Sequence, residues 1–176
     1  MLKRKASFWM LICIISVVFG CSVGFAEDGK DITISGVGTV SIPVSIAVSE
    51  FDMNGLKATC LVAKENNVFR STMVFSVVSP KNRDLDIAEL TTMLESFMKS
   101  FITSSQATIL RSGSTRNVNL GTVTTDRTFL NHGVAYCVNA YTINTATTYG
   151  ALVFVSPDGD SSFWESLRSK IITTAK

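Results

Sequence analysis

The first 26 residues constrain this chain most, because they separate a leader from the part that folds. A basic cluster, Lys3-Arg4-Lys5, precedes an uncharged and mostly apolar run over residues 8–25. Gly24 and Ala26 then supply the small-x-small pattern that precedes a signal-peptidase cut. The pattern predicts a secretory signal that is removed after Ala26, which leaves one exported domain, residues 27–176.

Two other interpretations of the leader stay open. Val18-Phe19-Gly20-Cys21 resembles a bacterial lipobox, in which Cys21 would be acylated and become the first residue of the mature protein. The bulky Phe19 departs from the small residue usual there. Alternatively the apolar run is never cut, since residues 8–26 are 19 residues long and can just span a bilayer. The domain would then be lipid-anchored or membrane-anchored rather than released into the periplasm or medium.

The charge of the mature domain argues against a nucleic-acid partner. The whole chain of 176 residues carries 16 Lys and Arg against 14 Asp and Glu. Removal of the leader takes away three basic residues and no acidic one, which leaves 13 against 14. A nearly neutral domain has no basic surface that could follow a phosphate backbone. We predict no nucleic-acid partner, and contact with a membrane only through a lipid or an uncleaved leader.

The mature domain contains two cysteines, Cys60 and Cys137. In an oxidising compartment they could form a disulfide. They could equally be small buried residues on separate strands. Neither their number nor their spacing indicates a metal-binding cysteine set or a C-x-x-C redox motif.

Hydrophobic periodicity predicts an α+β fold. Apolar and polar residues alternate with period two in several segments, and Tyr149–Val155 is apolar almost throughout, as expected of a central strand. Because no alternating βαβ rhythm is present, the sheet should be mainly antiparallel. The predicted strands are Ile32–Pro43, Leu56–Ala63, Val68–Val78, Asn117–Leu130, Val134–Ile143 and Tyr149–Val155.

Two helices should pack on this sheet. Apolar residues recur at steps of three and four in the middle of the chain, which predicts a helix at Asp86–Thr103 with an apolar stripe. Asp86 and Glu89 have the spacing of a capping box, and so do Ser162 and Glu165 before a C-terminal helix. We therefore predict a mid-chain helix and a C-terminal helix on one mainly antiparallel sheet.

Two matches to catalytic patterns are incomplete. Ser96-Phe97-Met98-Lys99 fits the S-x-x-K motif of serine-nucleophile enzymes, but the chain lacks the companion S-D-N and K-T-G elements. His132 is the single histidine, so a catalytic triad or a histidine-bearing metal site would have to use it. It lies in the predicted turn Asn131-His132-Gly133, without a G-x-S-x-G motif elsewhere. We predict no catalytic residue.

Ligand-binding patterns are incomplete as well. Asp158-Gly159-Asp160-Ser161-Ser162 resembles the start of a calcium loop, but Phe163 and Ser169 occupy the positions at which that loop needs Gly and Glu. Gly36-Val37-Gly38 lacks the third glycine and the following helix of a dinucleotide site. We predict no metal and no cofactor.

The order and spacing of the elements resemble the PsbP-like α/β/α sandwich family, which includes bacterial envelope proteins such as DcrB. The resemblance covers Ile42-Pro43, the helix Asp86–Thr103, the strands within Asn117–Val155, and the closing helix from Phe163 to Ile171. It implies the sandwich fold and a noncatalytic accessory role. It assigns no site residues, because no family motif maps onto this chain.

These features together predict an exported, noncatalytic binding or accessory protein of the bacterial cell envelope. Its partner would be an envelope protein or a hydrophobic segment, with the threonine-rich stretches Thr122–Thr128 and Thr142–Thr148 as candidate contact surfaces. Two alternatives remain: a small extracytoplasmic hydrolase, and a carrier of an apolar ligand between helix and sheet.

Overall fold

The computed structural model describes residues 29–53, 56–104, 107–117 and 122–174. The predicted leader, with its cleavage position at Ala26 and its lipidation position at Cys21, lies outside these residues. Among the residues described, no helix combines the length and the hydropathy that a membrane crossing requires.

Seven strands form one fully antiparallel sheet in the order β3-β4-β5-β9-β8-β7-β6, and β1 pairs with β2 in a separate hairpin. Within the described ranges the elements are β1 (Gly29–Ile34), β2 (Gly38–Pro43), β3 (Ala47–Met53), β4 (Leu56–Glu65), β5 (Val68–Pro80), α1 (Ile87–Ser104), β6 (Thr108–Asn117), β7 (Thr122–Asn131), β8 (Val134–Asn144), β9 (Thr148–Pro157) and α2 (Glu165–Thr174). A short 3-10 turn, Asp158–Asp160, joins β9 to α2.

The sheet is covered on both faces, which makes three layers. The mid-chain helix α1 packs on one face, where Leu90, Leu94 and Met98 are at most 1% exposed. The β1–β2 hairpin and α2 pack on the other face, where Trp164 and Ile171 are at most 1% exposed. The predicted α+β class, with a mainly antiparallel sheet and two helices, is therefore confirmed.

The central position of the most apolar segment is also confirmed. β9 is the fourth of seven strands, and every residue from Gly150 to Ser156 is buried. Alternate residues of β9 belong to the two different cores, as Val153 packs toward α1 and Phe154 toward α2. A strand buried on both faces has no polar face to show, which explains its nearly continuous apolar sequence.

A reciprocal cap fixes the start of α1. The Asp86 carboxylate accepts a hydrogen bond from the Glu89 backbone N–H at 2.8 Å, and the Asp86 N–H donates to the Glu89 carboxylate at 3.0 Å. Both bonds satisfy N–H groups that a helix leaves unpaired at its first turn. The capping box predicted for Asp86 and Glu89 is thus confirmed.

The predicted strand at Asn117–Leu130 is wrong in its extent, because Asn117 is the last residue of one strand and the next strand begins at Thr122. β7 begins only at Thr122, and β6, at Thr108–Asn117, has no counterpart in the sequence prediction. The segment that forms β6 has few apolar residues and no clear alternation. As an edge strand it pairs with β7 alone, so it does not need the apolar pattern of a strand in the middle of a sheet.

The structure does not join Cys60 and Cys137, the disulfide that the sequence left open as one of two alternatives. Cys60 shares the α1 face with Ala58, whereas Cys137 precedes Val138 of the α1 core and therefore points to the opposite face. Between β4 and β8 lie β5 and β9, so three strand spacings of about 4.8 Å each separate the two residues. Both cysteines are buried on separate strands, the other alternative that the sequence left open.

A buried carboxylate ties the β9–α2 connection to the sheet. Asp160 is 8% exposed and accepts hydrogen bonds from the Ser71 backbone N–H and from the Arg70 guanidinium, each at 3.0 Å. These bonds hold the 3-10 turn against β5. The turn is therefore fixed against the sheet, where it also contacts β8 and β9.

Candidate functional site

An open cleft lies on the face of the sheet that carries α2. The described residues of the α2-side core come from the hairpin, from α2 and the segment that leads into it, and from the strands β3, β4, β5, β8 and β9, with none from β6 or β7. This uncovered part of the face and the 3-10 turn together enclose a cleft of about 380 Å³. Its lining residues are Arg111, Asp126, Arg127, Thr128, Cys137, Asn139, Asp158 and Ser161.

The floor of the cleft is a row of neighbouring residues on adjacent strands. Arg111 of β6 lies opposite Thr128 of β7, Thr128 lies opposite Cys137 of β8, and Cys137 lies opposite Ser156 of β9. Thr128 and Cys137 are buried, whereas Arg111 is exposed. The floor therefore presents a hydroxyl and a thiol to any molecule that enters.

A bulge in β6 places Arg111 in this row. The pairing with β7 shifts between Ile109, which lies opposite Phe129, and Arg111, which lies opposite Thr128. Simple alternation would put residues 109 and 111 on the same face, but the extra residue Leu110 moves Arg111 to the face of the cleft. Bulges commonly re-aim side chains in this way next to functional sites.

A hydrogen-bonded network forms the inner side of the cleft around Asn139, which is 6% exposed. Its side-chain amide donates to the Asp126 carboxylate across β7 and β8 at 2.5 Å. Its side-chain oxygen accepts a hydrogen bond from the Ser161 hydroxyl at 3.3 Å. The Cys137 thiol lies 3.8 Å from the same oxygen. Asn139 thus links the sheet to the chain that enters α2.

An ion pair crosses the cleft between β6 and the 3-10 turn. One guanidinium nitrogen of Arg111 lies 3.1 and 3.0 Å from the two carboxylate oxygens of Asp158. The Arg111 side chain is 72% exposed and that of Asp158 is 37% exposed. An ion pair this open to water contributes little to stability, of order 0–1 kcal/mol.

Behind the cleft lies a buried cation, Arg168 of α2, which is 7% exposed. Its guanidinium donates to the Ser161 carbonyl oxygen at 2.5 Å, yet its Nε has no hydrogen-bond partner. Arg168 takes part in none of the ion pairs that join described residues. Burial raises the pKa of the nearby Tyr141 hydroxyl, and the Arg168 charge offsets part of that rise.

The structure does not bring the sequence candidates for catalysis together. Ser96 and Lys99 are exposed on α1, on the opposite side of the sheet from the cleft. His132 lies in the β7–β8 turn with a positive φ of 50°. Asp158 and Asp160, weighed above as calcium ligands, instead hold Arg111 and Arg70.

The sequence did not single out Arg111, Asp126 or Asn139, which build the cleft, although Asp126 lies within the threonine-rich stretch Thr122–Thr128. The one available signal was Asn139, a polar residue within the largely apolar strand β8. Thr128 of the threonine-rich stretch does line the cleft, next to Asp126. Within the described ranges no three His, Cys, Asp or Glu side chains converge as metal ligands.

Comparison with known proteins assigns no family. No family model matches the chain, and no curated protein matches it either. Among solved structures, the chain is similar to the solution structure of cyanobacterial PsbP (CyanoP) from Synechocystis sp. PCC 6803. That similarity has a TM-score of 0.48 at 12% sequence identity, and it covers 90% of this chain and 95% of the other.

Proposed function

We propose that this chain is an exported, noncatalytic binding domain of the bacterial cell envelope, and that the cleft beside the 3-10 turn is its binding site. The leader pattern in the sequence supports export. The observation that carries the binding role is the cleft itself, an open space of about 380 Å³ lined mainly by polar side chains. This volume lies in the range of roughly 300–1,000 Å³ that is typical of ligand sites.

The surroundings of the cleft support a binding role rather than a hydrolytic one. The Asn139 side chain donates a hydrogen bond to Asp126 and accepts one from Ser161, so these three polar groups hold one another in place. The single histidine lies in a turn and the S-x-x-K serine on the opposite face. A hydrolase would need a nucleophile and a base within hydrogen-bond reach of each other.

A site-specific crosslinking experiment tests this proposal. The photoreactive residue benzoylphenylalanine would replace Leu130, which is 39% exposed and lies two residues from Thr128 on the same face of β7. The matched control places it at Phe69, an aromatic residue that is 47% exposed on the other face of the sheet. Both proteins would be expressed with the native leader and irradiated in cells.

We expect a defined crosslinked partner from position 130 that is absent from position 69. Identical adduct patterns at the two positions would remove the cleft from the proposal. Turnover of a substrate by the purified domain, together with the absence of any specific adduct, would replace the binding role with an enzymatic one.

A further inference from the structure

We infer that the cleft binds a carboxylate joined to an apolar group, and that the ligand's carboxylate replaces Asp158 on Arg111. This inference deepens the proposed function and rests on it. A free organic acid and an acidic residue beside apolar residues in a partner segment present the same chemistry. In the absence of a ligand, the Asp158 carboxylate would then occupy the position on Arg111 that the ligand's carboxylate takes.

The geometry of the ion pair supports an exchange of carboxylates. Arg111 is brought into the cleft by a bulge, and its only described ionic partner is the Asp158 carboxylate on the facing wall. The pair is largely exposed, so breaking it costs little. A guanidinium can donate two parallel hydrogen bonds to the two oxygens of one carboxylate, which makes arginine well suited to carboxylate recognition.

The buried Arg168 adds positive potential behind the same place. It contacts the carbonyl and the hydroxyl of Ser161, which lines the cleft. Its Nε lacks a partner, and no described carboxylate forms an ion pair with it. Because a buried charge is weakly screened, an anion next to Ser161 would be stabilised by this guanidinium.

The negative charges around the cleft limit the ligand to a single anionic group. Asp126 lies two residues from Thr128 on β7, about 7 Å farther along the strand. The Asp126 carboxylate is exposed and accepts a hydrogen bond from the side-chain amide of Asn139. A second negative charge on the ligand would meet Asp126, so a monocarboxylate fits better than a dicarboxylate.

Exposed leucines favour an apolar group beside the carboxylate. Leu110, the bulge residue next to Arg111, is 51% exposed, and Leu130 is 39% exposed. Leu130 lies on the cleft side of β7, two residues from Thr128. A ligand whose carboxylate meets Arg111 can cover this leucine surface with its apolar part.

The test measures binding by changes in the backbone amide NMR signals of the purified mature domain. The probes are hexanoate, acetate, hexanamide and succinate, together with the peptide acetyl-Leu-Glu-Leu-Leu-amide as the partner-segment arm. The proteins are the native domain, Arg111→Gln, Asp158→Asn and Leu130→Ala. The control is Arg83→Gln, which removes an exposed arginine that pairs with Glu89 at the start of α1.

We expect hexanoate to shift the signals of the cleft residues, and acetate, succinate and the neutral hexanamide to bind more weakly. Arg111→Gln should weaken hexanoate binding about tenfold, whereas Asp158→Asn should strengthen it several-fold because the competing carboxylate is gone. Leu130→Ala should reduce the affinity for hexanoate toward that for acetate. Stronger binding of the peptide would identify a partner segment as the source of the carboxylate, and stronger binding of hexanoate a free acid.

The test is decisive because Arg111→Gln and Asp158→Asn are expected to change the affinity for hexanoate in opposite directions. If Arg111 and Asp158 were only a structural pair, both substitutions would break it and change binding in the same direction. That outcome, or equal binding of hexanoate and hexanamide, would overturn the inference. Specific crosslinking from position 130 would in that case still support the proposed function, so the two failures are distinguishable.

Discussion

The Asp160 carboxylate accepts a hydrogen bond from the backbone N–H of Ser71 at 3.0 Å, and this bond joins two residues that are 89 positions apart in the sequence. The Arg70 guanidinium donates to the other oxygen of the same carboxylate at 3.0 Å. Through these two bonds β5 fixes the 3-10 turn that forms one wall of the cleft. The position of Asp158 above the sheet therefore depends on its neighbour Asp160.

Replacement of Asp160 by alanine should destabilise the domain. The change leaves the Ser71 N–H and the Arg70 guanidinium without their buried acceptor, at a cost of about 1–3 kcal/mol. Urea denaturation measures the free energy of unfolding, and the exposed Asp31→Ala is the matched control, for which a change within about 0.5 kcal/mol is expected. Equal effects of the two substitutions would show that Asp160 does not anchor the turn.

Gly150→Ala should be far more damaging than Gly159→Ala. A Cβ at Gly150 would lie 2.0 Å from the Val77 carbonyl oxygen and 2.8 Å from the Val78 Cα, both of which belong to the backbone of the neighbouring strand β5. A Cβ at Gly159 would meet no atom within 4 Å. We expect a loss of about 3 kcal/mol or failure to fold for the first, and little change for the second. Similar melting temperatures of the two variants would contradict this packing.

The parts of the fold that the sequence predicted are those whose pattern is complete within one segment. The α1 stripe runs over about five turns of helix, and each of its members, such as Leu90, Leu94 and Met98, lies in one core. β9 is apolar because both of its faces are covered, so its sequence alone indicates its central position. Burial determines the apolar pattern in both elements, because it affects every central residue of β9 and a regularly spaced subset of the residues of α1.

The cleft could not be predicted in the same way, because it is assembled from distant residues. Arg111 and Asp158 are 47 positions apart and meet only because β6 pairs at the edge of the sheet and the 3-10 turn rises beside it. The bulge at Leu110 moves Arg111 to the opposite face of β6. Neither Ile109 nor Arg111, the residues on each side of Leu110, indicates a bulge in the sequence. An arginine on a polar edge strand looks like ordinary solvated surface until its partners are placed.

The pKa of Glu89 should be low and should depend on Arg83. The Arg83 guanidinium and the Asp86 backbone N–H both donate to the Glu89 carboxylate, and they lower its pKa from 4.5 to about 2. Because the pKa of Glu89 is lower in the folded state than its ordinary value of 4.5, its ionised carboxylate stabilises the fold at pH values above 4.5. This contribution is lost as the pH falls through about 2. Side-chain carboxyl NMR signals followed against pH measure the midpoint directly.

Arg83→Gln should move the Glu89 midpoint upward, toward 4.5. The matched control is Arg111→Gln, which removes another exposed arginine but leaves the α1 cap intact. A Glu89 midpoint that is the same in the Arg83 variant and in the native domain would mean that the ion pair does not form in solution.

The intact mass of the protein isolated from its native cells tests both the leader and the cysteines. We expect a mature chain that begins at Glu27. A lipid-modified chain that begins at Cys21, or an uncut chain that begins at Met1, would identify the other two fates of the leader. Each of the three products has a different mass, so a single spectrum separates them.

The same sample should show no disulfide between Cys60 and Cys137, because these residues lie on opposite faces of the sheet and three strand spacings apart. Alkylation in denaturant without a reductant should add two labels to a chain that begins at Glu27, and prior reduction should not raise that number. A gain of two daltons on reduction, with labelling only after it, would mean that β4 and β8 are paired differently from the order β3-β4-β5-β9-β8-β7-β6. The sheet order, on which the cleft depends, would then be wrong.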